Sequence, residues 1–448
     1  MSAKKSLTKS VKHPSVPDGI DINSDFADAL SLMENTNTHL FLTGRAGTGK
    51  STLLNYFRST TSKNVVVVAP TGIAALNVGG QTIHSFFRFP LGTLSAERIK
   101  VMKNKKLYQA IDTIVVDEVS MVRADIIDGI DRFMRLNGRD KHQPFGGVQM
   151  IFIGDLFQLP PVVQNNDGSQ LFDSDYDSPY FFSAAVFKKA PLKTLHLKTI
   201  YRQKDAAFIR VLNAIRINYA TPDDLEKLNT RVEPDFVPSD DDFYITLTTT
   251  NEIANRINEQ KLAQLKSKSH QFAGDIEGEF DRKNLPADEI LSLKKGAQVM
   301  FVKNDVSRRW VNGTIGKVKD IGEHFVKVEI ENEDERKMVT VERVDWEILK
   351  YDFDATEKKV FSEPVGSFTQ FPLKLAWAIT IHKSQGKTFE KVIIDLGRGA
   401  FAHGQLYVAL SRCRTLEGIV LRREINKRDV IVDGRIIEFV KKTVAAAD

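Results

Sequence analysis

The stretch Gly44-Arg45-Ala46-Gly47-Thr48-Gly49-Lys50-Ser51 decides the fold of this 448-residue chain. It lies between an apolar run at residues 40–42 and a helical pattern at residues 52–57. The spacing fits G-x-x-x-x-G-K-[ST], whose glycines let backbone N–H groups curl around phosphate oxygens at a helix N-terminus. The sequence therefore predicts a phosphate-binding loop (P-loop), in which Lys50 reaches the β- and γ-phosphates of ATP and Ser51 binds Mg²⁺. The residues predicted to hold the nucleotide are Gly44, Ala46, Gly47, Thr48, Gly49, Lys50, Ser51 and Thr52.

A second motif supplies the acidic groups that phosphate chemistry needs. Ile114-Val115-Val116-Asp117-Glu118 is an apolar strand that ends in two carboxylates. Asp117 is expected to hold Mg²⁺ through water, and Glu118 is expected to orient or deprotonate the attacking water. An apolar run ending in Asp-Glu is by itself more typical of a solvated strand end. Its position after the P-loop, with room for one intervening strand, favours the catalytic interpretation.

The residues leave the role of Gln158 open. It lies in Gly154-Asp155-Leu156-Phe157-Gln158-Leu159-Pro160-Pro161, directly after an apolar run. Glutamines position water or contact the γ-phosphate in other P-loop enzymes, but a glutamine in a proline-rich loop is more often a surface residue. The second half of the chain contains no P-loop, so we expect arginines of a second domain to complete the nucleotide site across a cleft.

Apolar runs alternate with helical patterns in two parts of the chain, which predicts an α/β fold with parallel sheets. The runs lie at residues 39–43, 65–69, 113–116 and 149–153, and again at 244–247, 392–395 and 418–421. Between them, Asn312-Gly313 separates alternating segments, which is a strong hairpin signal. The sequence therefore predicts a small antiparallel β-barrel inserted into the second α/β domain.

Composition sets wide limits on function. The net charge of +5 and the pI of about 8.9 permit a polyanionic partner without requiring one. The chain has one cysteine, Cys413, so no intrachain disulfide forms and a reducing compartment is expected. No apolar run reaches the length of a membrane span. A cytoplasmic, bacterial and nucleoid-associated location is the default; the basic N-terminal residues favour a disordered tail over a transit peptide, which makes a mitochondrial or nuclear location less favoured.

Taken in order, the motifs resemble those of superfamily 1 helicases of the B type. They are most similar to the Pif family of 5′-to-3′ DNA helicases, which has RecD and the phage Dda helicase as cousins. Beyond the P-loop and the acidic motif, the resemblance rests on residues 69–77, 81–87, 154–161, 380–386 and 407–412. Residues 144–149 and 123–135 resemble segments particular to the Pif family.

This resemblance implies two RecA-like P-loop domains with parallel sheets and two small inserted domains. The implied boundaries are a basic tail at 1–20, domain 1A at 21–190, a wedge domain 1B at about 87–107, domain 2A at 191–297 and 372–435, a Src-homology-3-type β-barrel domain 2B at 298–371, and a C-terminal tail at 436–448.

The resemblance also assigns roles to individual residues. It implies that Arg202 and Arg412 are arginine fingers, that Gln158 contacts the γ-phosphate, and that Gly386 lies at the nucleotide. The residues that it implies for single-stranded DNA are Thr71, Asn77, His84, Phe86, His382, Lys383 and Ser384. Without the resemblance, the phenylalanines of residues 84–89 are better interpreted as core residues.

The implied activity is ATP-dependent unwinding of duplex and forked DNA by a monomer that moves 5′ to 3′ on single-stranded DNA. G-quadruplexes, RNA–DNA hybrids and a role in replication, repair, recombination or telomere-type maintenance come with the same resemblance. The alternatives are an RNA-directed or nucleoprotein-remodelling NTPase and a non-motor nucleotide switch. One departure concerns the base: the family's adenine-reading glutamine is missing from residues 22–27, so other nucleoside triphosphates are expected to be accepted.

Overall fold

The computed structural model describes residues 22–163, 175–203, 205–239, 241–282, 285–332 and 335–445, so the predicted tail at 1–20 lies outside the described residues. The helices are α1 (Ser24–Asn35), α2 (Lys50–Thr60), α3 (Gly72–Asn77), α4 (Ile83–Phe87), α5 (Lys106–Ala110), α6 (Ala124–Asn137), α7 (Ala206–Arg216), α8 (Pro222–Asn229), α9 (Asn251–Gln264), α10 (Gln405–Leu410) and α11 (Gly434–Ala445).

Six strands form the first sheet, and they are β1 (His39–Gly44), β2 (Val65–Ala69), β3 (Gln81–Thr82), β4 (Thr113–Val116), β5 (Gln149–Gly154) and β6 (Leu192–Leu197). All neighbours are parallel, in the order β3-β2-β4-β5-β1-β6. The four central strands are apolar and almost entirely buried, because helices cover both faces of the sheet. Their carboxyl ends bring the P-loop, Asp117 and Gly154 to one edge.

The predicted boundary between domains 1A and 2A at 190/191 is wrong by one strand. Strand β6 pairs in parallel with β1 and therefore belongs to the first sheet. As an edge strand it buries only Leu197 fully, so its apolar signal is weaker than that of the central strands. Arg202 consequently lies on the connection that leaves the first domain, not within the second.

The second parallel sheet consists of β7 (Ile245–Thr248), β18 (Ala378–Thr380), β19 (Val392–Asp395) and β20 (Ile419–Leu421), in the order β18-β7-β19-β20. Three of these strands match the predicted apolar runs. Strand β18 was not predicted, because three residues are too few to show a pattern. Its last residue, Thr380, is the first of the motif at residues 380–386, which places that motif at the carboxyl edge of the second sheet.

The inserted β domain begins earlier than the predicted residue 298. Its strands are β8 (Ser269–Ala273), β9 (Asp275–Gly278), β10 (Ile290–Lys294), β11 (Gln298–Phe301), β12 (Ile315–Ile321), β13 (Val326–Asn332), β14 (Glu335–Val341), β15 (Val344–Asp354), β16 (Lys359–Gln370) and β17 (Leu373–Leu375). They form sheets β14-β13-β12-β11-β17, β15-β16-β9 and β10-β8. The first and last of these enclose one apolar core that includes Phe272 and Phe371. Strand β8 was missed because it buries only Phe272.

The long hairpin β15–β16 reaches from the inserted domain to the first domain. The Tyr351 hydroxyl accepts a hydrogen bond from the Val67 N–H at 3.0 Å, and the Val360 N–H donates to Asn64 Oδ1 at 3.0 Å. The segment predicted as domain 1B is held on α6, where Asp125 Oδ2 accepts from the Leu94 N–H at 3.0 Å. Within the described residues 87–107 this segment forms a single 3₁₀ turn and part of α5, and no strand.

The predicted C-terminal tail at 436–448 is wrong for its described part, which belongs to helix α11. The ring of Phe439 stacks on Phe182 of the first domain, with centroids 4.2 Å apart. The Tyr180 hydroxyl also donates to Asp433 Oδ2 at 3.0 Å. The end of the second domain is therefore fastened to the first. Among the helices described here, none has the length and apolar character that a bilayer crossing requires.

Candidate active site and nucleic-acid interface

The P-loop adopts a phosphate-cradling conformation between β1 and α2. Gly47 and Gly49 have φ values of 82° and 83°, which favour glycine because a side chain is strained there. The Lys50 ammonium donates to the carbonyls of Gly44 at 2.8 Å and Arg45 at 3.0 Å. Ser51 is exposed in the first turn of α2. The loop, the lysine and the hydroxyl therefore stand where the sequence predicts a triphosphate.

Of the two carboxylates after β4, Asp117 is buried beside this loop and Glu118 is half-buried. Burial, followed by the charge of Glu118, raises the pKa of Asp117 to about 7. Burial also raises the pKa of Glu118, while the charges of Lys50 and Arg412 oppose the increase. Glu118 has a φ of 49°, a left-handed conformation that costs a non-glycine residue energy. The Ser51 hydroxyl and the Asp117 carboxylate offer oxygen donors, which are the kind of ligand that suits Mg²⁺.

Sequence reasoning missed Arg216, which is the last residue of α7. Its guanidinium donates to Asp155 Oδ1 at 2.9 Å and lies 4.1 Å from the centroid of the Phe157 ring. Burial of Asp155 opposes its ionisation, but the charges of Arg216 and Lys50 outweigh this and lower its pKa. No local pattern singles out Arg216 among 63 lysines and arginines. It holds the loop that carries Gln158 in place.

Residues of the second domain reach directly into the nucleotide site. Gln385 Nε2 donates to Gln158 Oε1 at 3.2 Å. The Tyr407 hydroxyl accepts the Ala46 N–H at 3.1 Å and donates to Asp155 Oδ2 at 3.4 Å. Gln385 and Tyr407 both lie in segments that resemble helicase motifs, so the resemblance could have assigned them to the nucleotide site. The cleft that the sequence predicts between the two domains is therefore present.

The two predicted arginine fingers lie close to each other at this cleft. Arg202 packs directly on the P-loop at Gly47. If Gly47 had a side chain, its Cβ atom would lie only 2.4 Å from the Cβ atom of Arg202. Arg202 also donates to the Ser411 carbonyl at 3.3 Å. Burial, followed by the charge of Arg202, lowers the pKa of Arg412 to about 9. Arg412 comes from the second domain as predicted, whereas Arg202 comes from the connection after β6.

A cavity of about 470 Å³ lies between both parallel-sheet domains and the inserted β domain. Thr71, Asn77, His382 and Lys383, which the sequence assigns to nucleic acid, line it together. The inserted domain adds Lys303 and Trp346, which sequence reasoning missed, and further lysines at 374 and 387 make the wall basic. The lysines suit the anionic phosphates of a single strand, whereas the Trp346 ring is 5% exposed and stacks on Phe368, with centroids 5.7 Å apart. Glu118 lines the same cavity, so the catalytic acid borders the nucleic-acid surface.

The chain matches known proteins over most of its length. The family model described as PIF1-like helicase matches residues 24–217, and that of the UvrD-like helicase C-terminal domain matches residues 375–420. The ATP-dependent DNA helicase Pif1 of Bdellovibrio bacteriovorus is 33% identical over 94% of this chain and 92% of its own length. The chain belongs to the PIF1-like helicase family.

Other relatives agree with this assignment. The ATP-dependent DNA helicase PIF1 of Xenopus laevis is 36% identical over 87% of this chain, which spans 60% of that longer protein. The crystal structure of Bacteroides sp Pif1 in complex with ADP-AlF4 is 37% identical, covers 95% of this chain and 98% of its own, and has a TM-score of 0.88. The predicted fold, with two RecA-like domains, is thereby confirmed.

A second Bacteroides structure aligns less closely. Bacteroides Pif1 bound to ssDNA has the same 37% identity and covers 96% of this chain and 98% of its own, but its TM-score is 0.69. As whole chains, this PIF1-like helicase therefore superposes better on the ADP-AlF4 complex than on the ssDNA complex.

Three residues predicted to contact DNA do not line the cavity of this PIF1-like helicase. Phe86 is 4% exposed and packs against Phe87 and Tyr108, with ring centroids 4.9 Å and 5.6 Å away, so its assignment to base stacking is wrong. Ser384 is fully buried, and its hydroxyl donates to the Ile381 carbonyl at 2.7 Å. His84 lies half-buried in α4 and is not among the lining residues. Apolar packing decided the position of Phe86, as the residue pattern alone had favoured.

Residues 22–27, where the family's glutamine is missing, pack beside the P-loop. A Cβ on Gly49 would meet the Phe26 ring at 2.9 Å. Asn23 Oδ1 caps α1 by accepting the Phe26 N–H at 3.0 Å, and Asn23 Nδ2 donates to the Tyr201 hydroxyl at 2.9 Å. The amide of Asn23 is thus engaged within the protein, and Phe26 offers no hydrogen bond to a base.

Proposed function

We propose that this PIF1-like helicase couples ATP hydrolysis to 5′-to-3′ movement along single-stranded DNA and so unwinds duplex and forked DNA. The observation that carries the proposal is the lysine-rich cavity, whose wall contains Glu118 and Gln385 of the nucleotide cleft. A strand in this cavity touches both RecA-like domains, so opening and closing of the cleft changes its grip. The free energy of ATP hydrolysis then drives movement because the open and closed states of the cleft bind DNA with different affinities.

Strand displacement on tailed duplexes tests this proposal. With ATP, a duplex with a 5′ single-stranded tail is expected to be unwound, and the same duplex with a 3′ tail is not. Lys50→Ala, which removes the P-loop ammonium, serves as the inactive control. Unwinding from the 3′ tail would overturn the direction. Competition by RNA as strong as that by DNA of the same sequence would favour the RNA-directed alternative.

The metal of the proposed reaction is Mg²⁺, held by Ser51 and Asp117. A Mg²⁺ ion held by these two residues would supply positive charge next to the β- and γ-phosphates. The residues themselves supply a hydroxyl and a buried carboxyl, and the pKa of that carboxyl is raised by burial and by Glu118. A cation is therefore favoured at this position, because it replaces a proton on Asp117.

The Mg²⁺ requirement is expected to increase as the pH falls below about 7, since Mg²⁺ must then displace the Asp117 proton. Burial and the Glu118 charge raise the pKa of Asp117 to about 7, so the ionised ligand predominates only above that pH. The free Mg²⁺ for half-maximal hydrolysis should rise by up to about tenfold per pH unit. Mg²⁺ titrations between about pH 6 and 8 at saturating ATP measure it; a constant midpoint contradicts the assignment of Asp117.

We also propose that base selectivity is relaxed. Phe26 and the engaged Asn23 leave no free side-chain amide on α1 near the P-loop to read adenine. GTP and CTP are expected to support unwinding with kcat/KM within about tenfold of ATP, because discrimination rests on contacts other than such an amide. Phe26→Gln is expected to raise the preference for ATP. A preference for ATP above about 10³-fold in the native protein contradicts this proposal.

The affinity for single-stranded DNA is expected to fall as the pH rises from about 7 to about 9. Burial, followed by the charges of Lys374 and Arg412, lowers the pKa of Lys387 to about 8. A phosphodiester in the cavity favours the ammonium, so binding takes up a proton above that pH. Lys387 shares the cavity with Glu118, His382, Lys303, Lys374 and Lys383. Anisotropy titrations at constant ionic strength should show a flatter profile for Lys387→Arg; an unchanged profile assigns the effect elsewhere.

Monomeric action, a reducing cytoplasmic location and activity on G-quadruplexes and RNA–DNA hybrids, within genome maintenance, remain parts of this proposal. The single cysteine of the chain, Cys413, which excludes an intrachain disulfide, supports a reducing compartment. Light scattering with and without forked DNA tests the monomer. A dimer in free solution would contradict it.

A further inference from the structure

The turn at residues 382–387 joins the nucleic-acid cavity to the nucleotide cleft. It follows β18 and begins with a 3₁₀ turn, His382–Ser384. His382, Lys383, Gln385 and Lys387 line the cavity, whereas the Ser384 side chain points into the core. A strand bound in the cavity therefore touches this turn from one side.

The other side of the same turn holds two groups of the nucleotide cleft. Gln385 Nε2 donates to Gln158 Oε1 at 3.2 Å, across the boundary between the domains. Arg412 donates to the carbonyls of Ser384 and Lys387, each at 3.4 Å. The turn thus holds the glutamine of one domain and the arginine of the other at once.

The contact continues from Gln158 to the P-loop. Gln158 Nε2 donates to Asp155 Oδ2 at 3.4 Å, and the same oxygen accepts from the Tyr407 hydroxyl at 3.4 Å. Burial and the Asp155 charge raise the pKa of Tyr407 to about 12, so its hydroxyl stays protonated and can donate. That hydroxyl accepts the Ala46 N–H. Hydrogen bonds therefore run without a gap from Gln385 to the loop that cradles phosphate.

We propose that Gln385 is a positioning residue through which nucleic acid in the cavity controls ATP hydrolysis. This inference rests on the proposed function, because it takes DNA to be the occupant of the cavity. Gln385 holds the Gln158 amide in one orientation, and the turn that DNA touches sets where Gln385 lies. Binding of DNA and binding of nucleotide then bias the same two-state contact, so each changes the affinity for the other.

The coupling between the two ligands provides the test. Single-stranded oligo(dT) is titrated onto the protein by fluorescence anisotropy, with and without ADP-AlF4, and ATP hydrolysis is measured with and without the same oligonucleotide. The ratio of the two dissociation constants is the coupling factor, for which about 5- to 150-fold is typical of linked sites. In Gln385→Leu we expect the coupling factor to fall by at least about fivefold, towards a value of one, which means no coupling. The stimulation of ATP hydrolysis by DNA should decrease as well.

Two further variants separate this role from a plain DNA contact and from misfolding. The double variant Gln158→Leu/Gln385→Leu is expected to have the same coupling factor as either single variant. Each substitution alone already removes the one hydrogen bond between Gln385 and Gln158. Gln260→Leu, an exposed glutamine of α9 in the same domain, is the matched control and should behave as the native protein.

The possible outcomes distinguish the inference from the proposed function. An unchanged coupling factor in Gln385→Leu overturns the inference. A loss of DNA affinity that is equal with and without nucleotide overturns it as well, because it makes Gln385 a mere DNA contact. Additive losses in the double variant remove the link to Gln158. A native protein that neither binds oligo(dT) nor responds to it refutes the proposed function itself, independently of Gln385.

Discussion

Glu118→Gln is expected to lower ATP hydrolysis by about 10²–10⁴-fold, the usual worth of a positioned general base. The variant should still bind ATP, because the P-loop contacts and Asp117 are untouched. Glu118 is half-buried beside Asp117, and desolvation raises its pKa while the charges of Lys50 and Arg412 oppose the increase. Glutamine has the same shape and cannot accept the proton, so DNA unwinding should cease with hydrolysis.

Steady-state hydrolysis with single-stranded DNA, equilibrium nucleotide binding and strand displacement measure this expectation together. The matched control is Glu323→Gln, since the Glu323 side chain is 88% exposed in the inserted domain and should be dispensable. Hydrolysis within about tenfold of native in Glu118→Gln would assign the base to another residue. Intact unwinding without hydrolysis would favour the nucleotide-switch alternative over the motor.

Arg412→Lys is expected to lower hydrolysis by about 10³-fold or more, the range of an arginine that stabilises transition-state charge. The guanidinium is 1% exposed and lies near Glu118, where burial and the Arg202 charge lower its pKa to about 9. Lysine keeps a positive charge but lacks the planar guanidinium group. That group donates to the Val408 carbonyl at 2.8 Å and to the Ser411 hydroxyl at 2.8 Å. KM for ATP should change far less than kcat.

Single-turnover hydrolysis with and without DNA measures the effect on Arg412. Arg414→Lys is the matched control, because Arg414 is two residues away, half exposed and ion-paired with Glu390 at 2.9 Å. Thermal unfolding and oligo(dT) affinity show whether the buried substitution leaves the fold intact. A folded Arg412→Lys protein with a native rate would contradict the need for a guanidinium at this position.

Much of the fold could be predicted because its signals are local. Buried parallel strands such as β2 and β4 are continuous apolar runs, so their residue bounds match the prediction. Edge elements gave weaker signals: β6 buries one residue fully, β8 buries one, and β18 has three residues. The predicted domain boundaries were wrong at β6 and β8, because pairing with another strand, and not local pattern, makes these segments strands.

The site residues likewise include some that were placed correctly from the sequence and one that was not. Thr71, Asn77, His382 and Lys383 were predicted from the family resemblance, and the structure brings them together in one cavity. Phe86 was assigned by the same resemblance and lies in the core, where its ring packs against neighbouring aromatic rings. A motif specifies which residue types recur, but whether a side chain faces solvent depends on what packs above it.

By itself, the sequence determined the P-loop, the two carboxylates after β4 and the absence of a second P-loop. These follow from residues within a few positions of one another, whose backbone geometry and spacing suffice to form a phosphate cradle. Only the tertiary structure decided that Gln385 meets Gln158, 227 positions away, and that Tyr407 meets Ala46, 361 positions away. Such contacts depend on how two separately packed sheets dock against each other, and no local pattern encodes that docking.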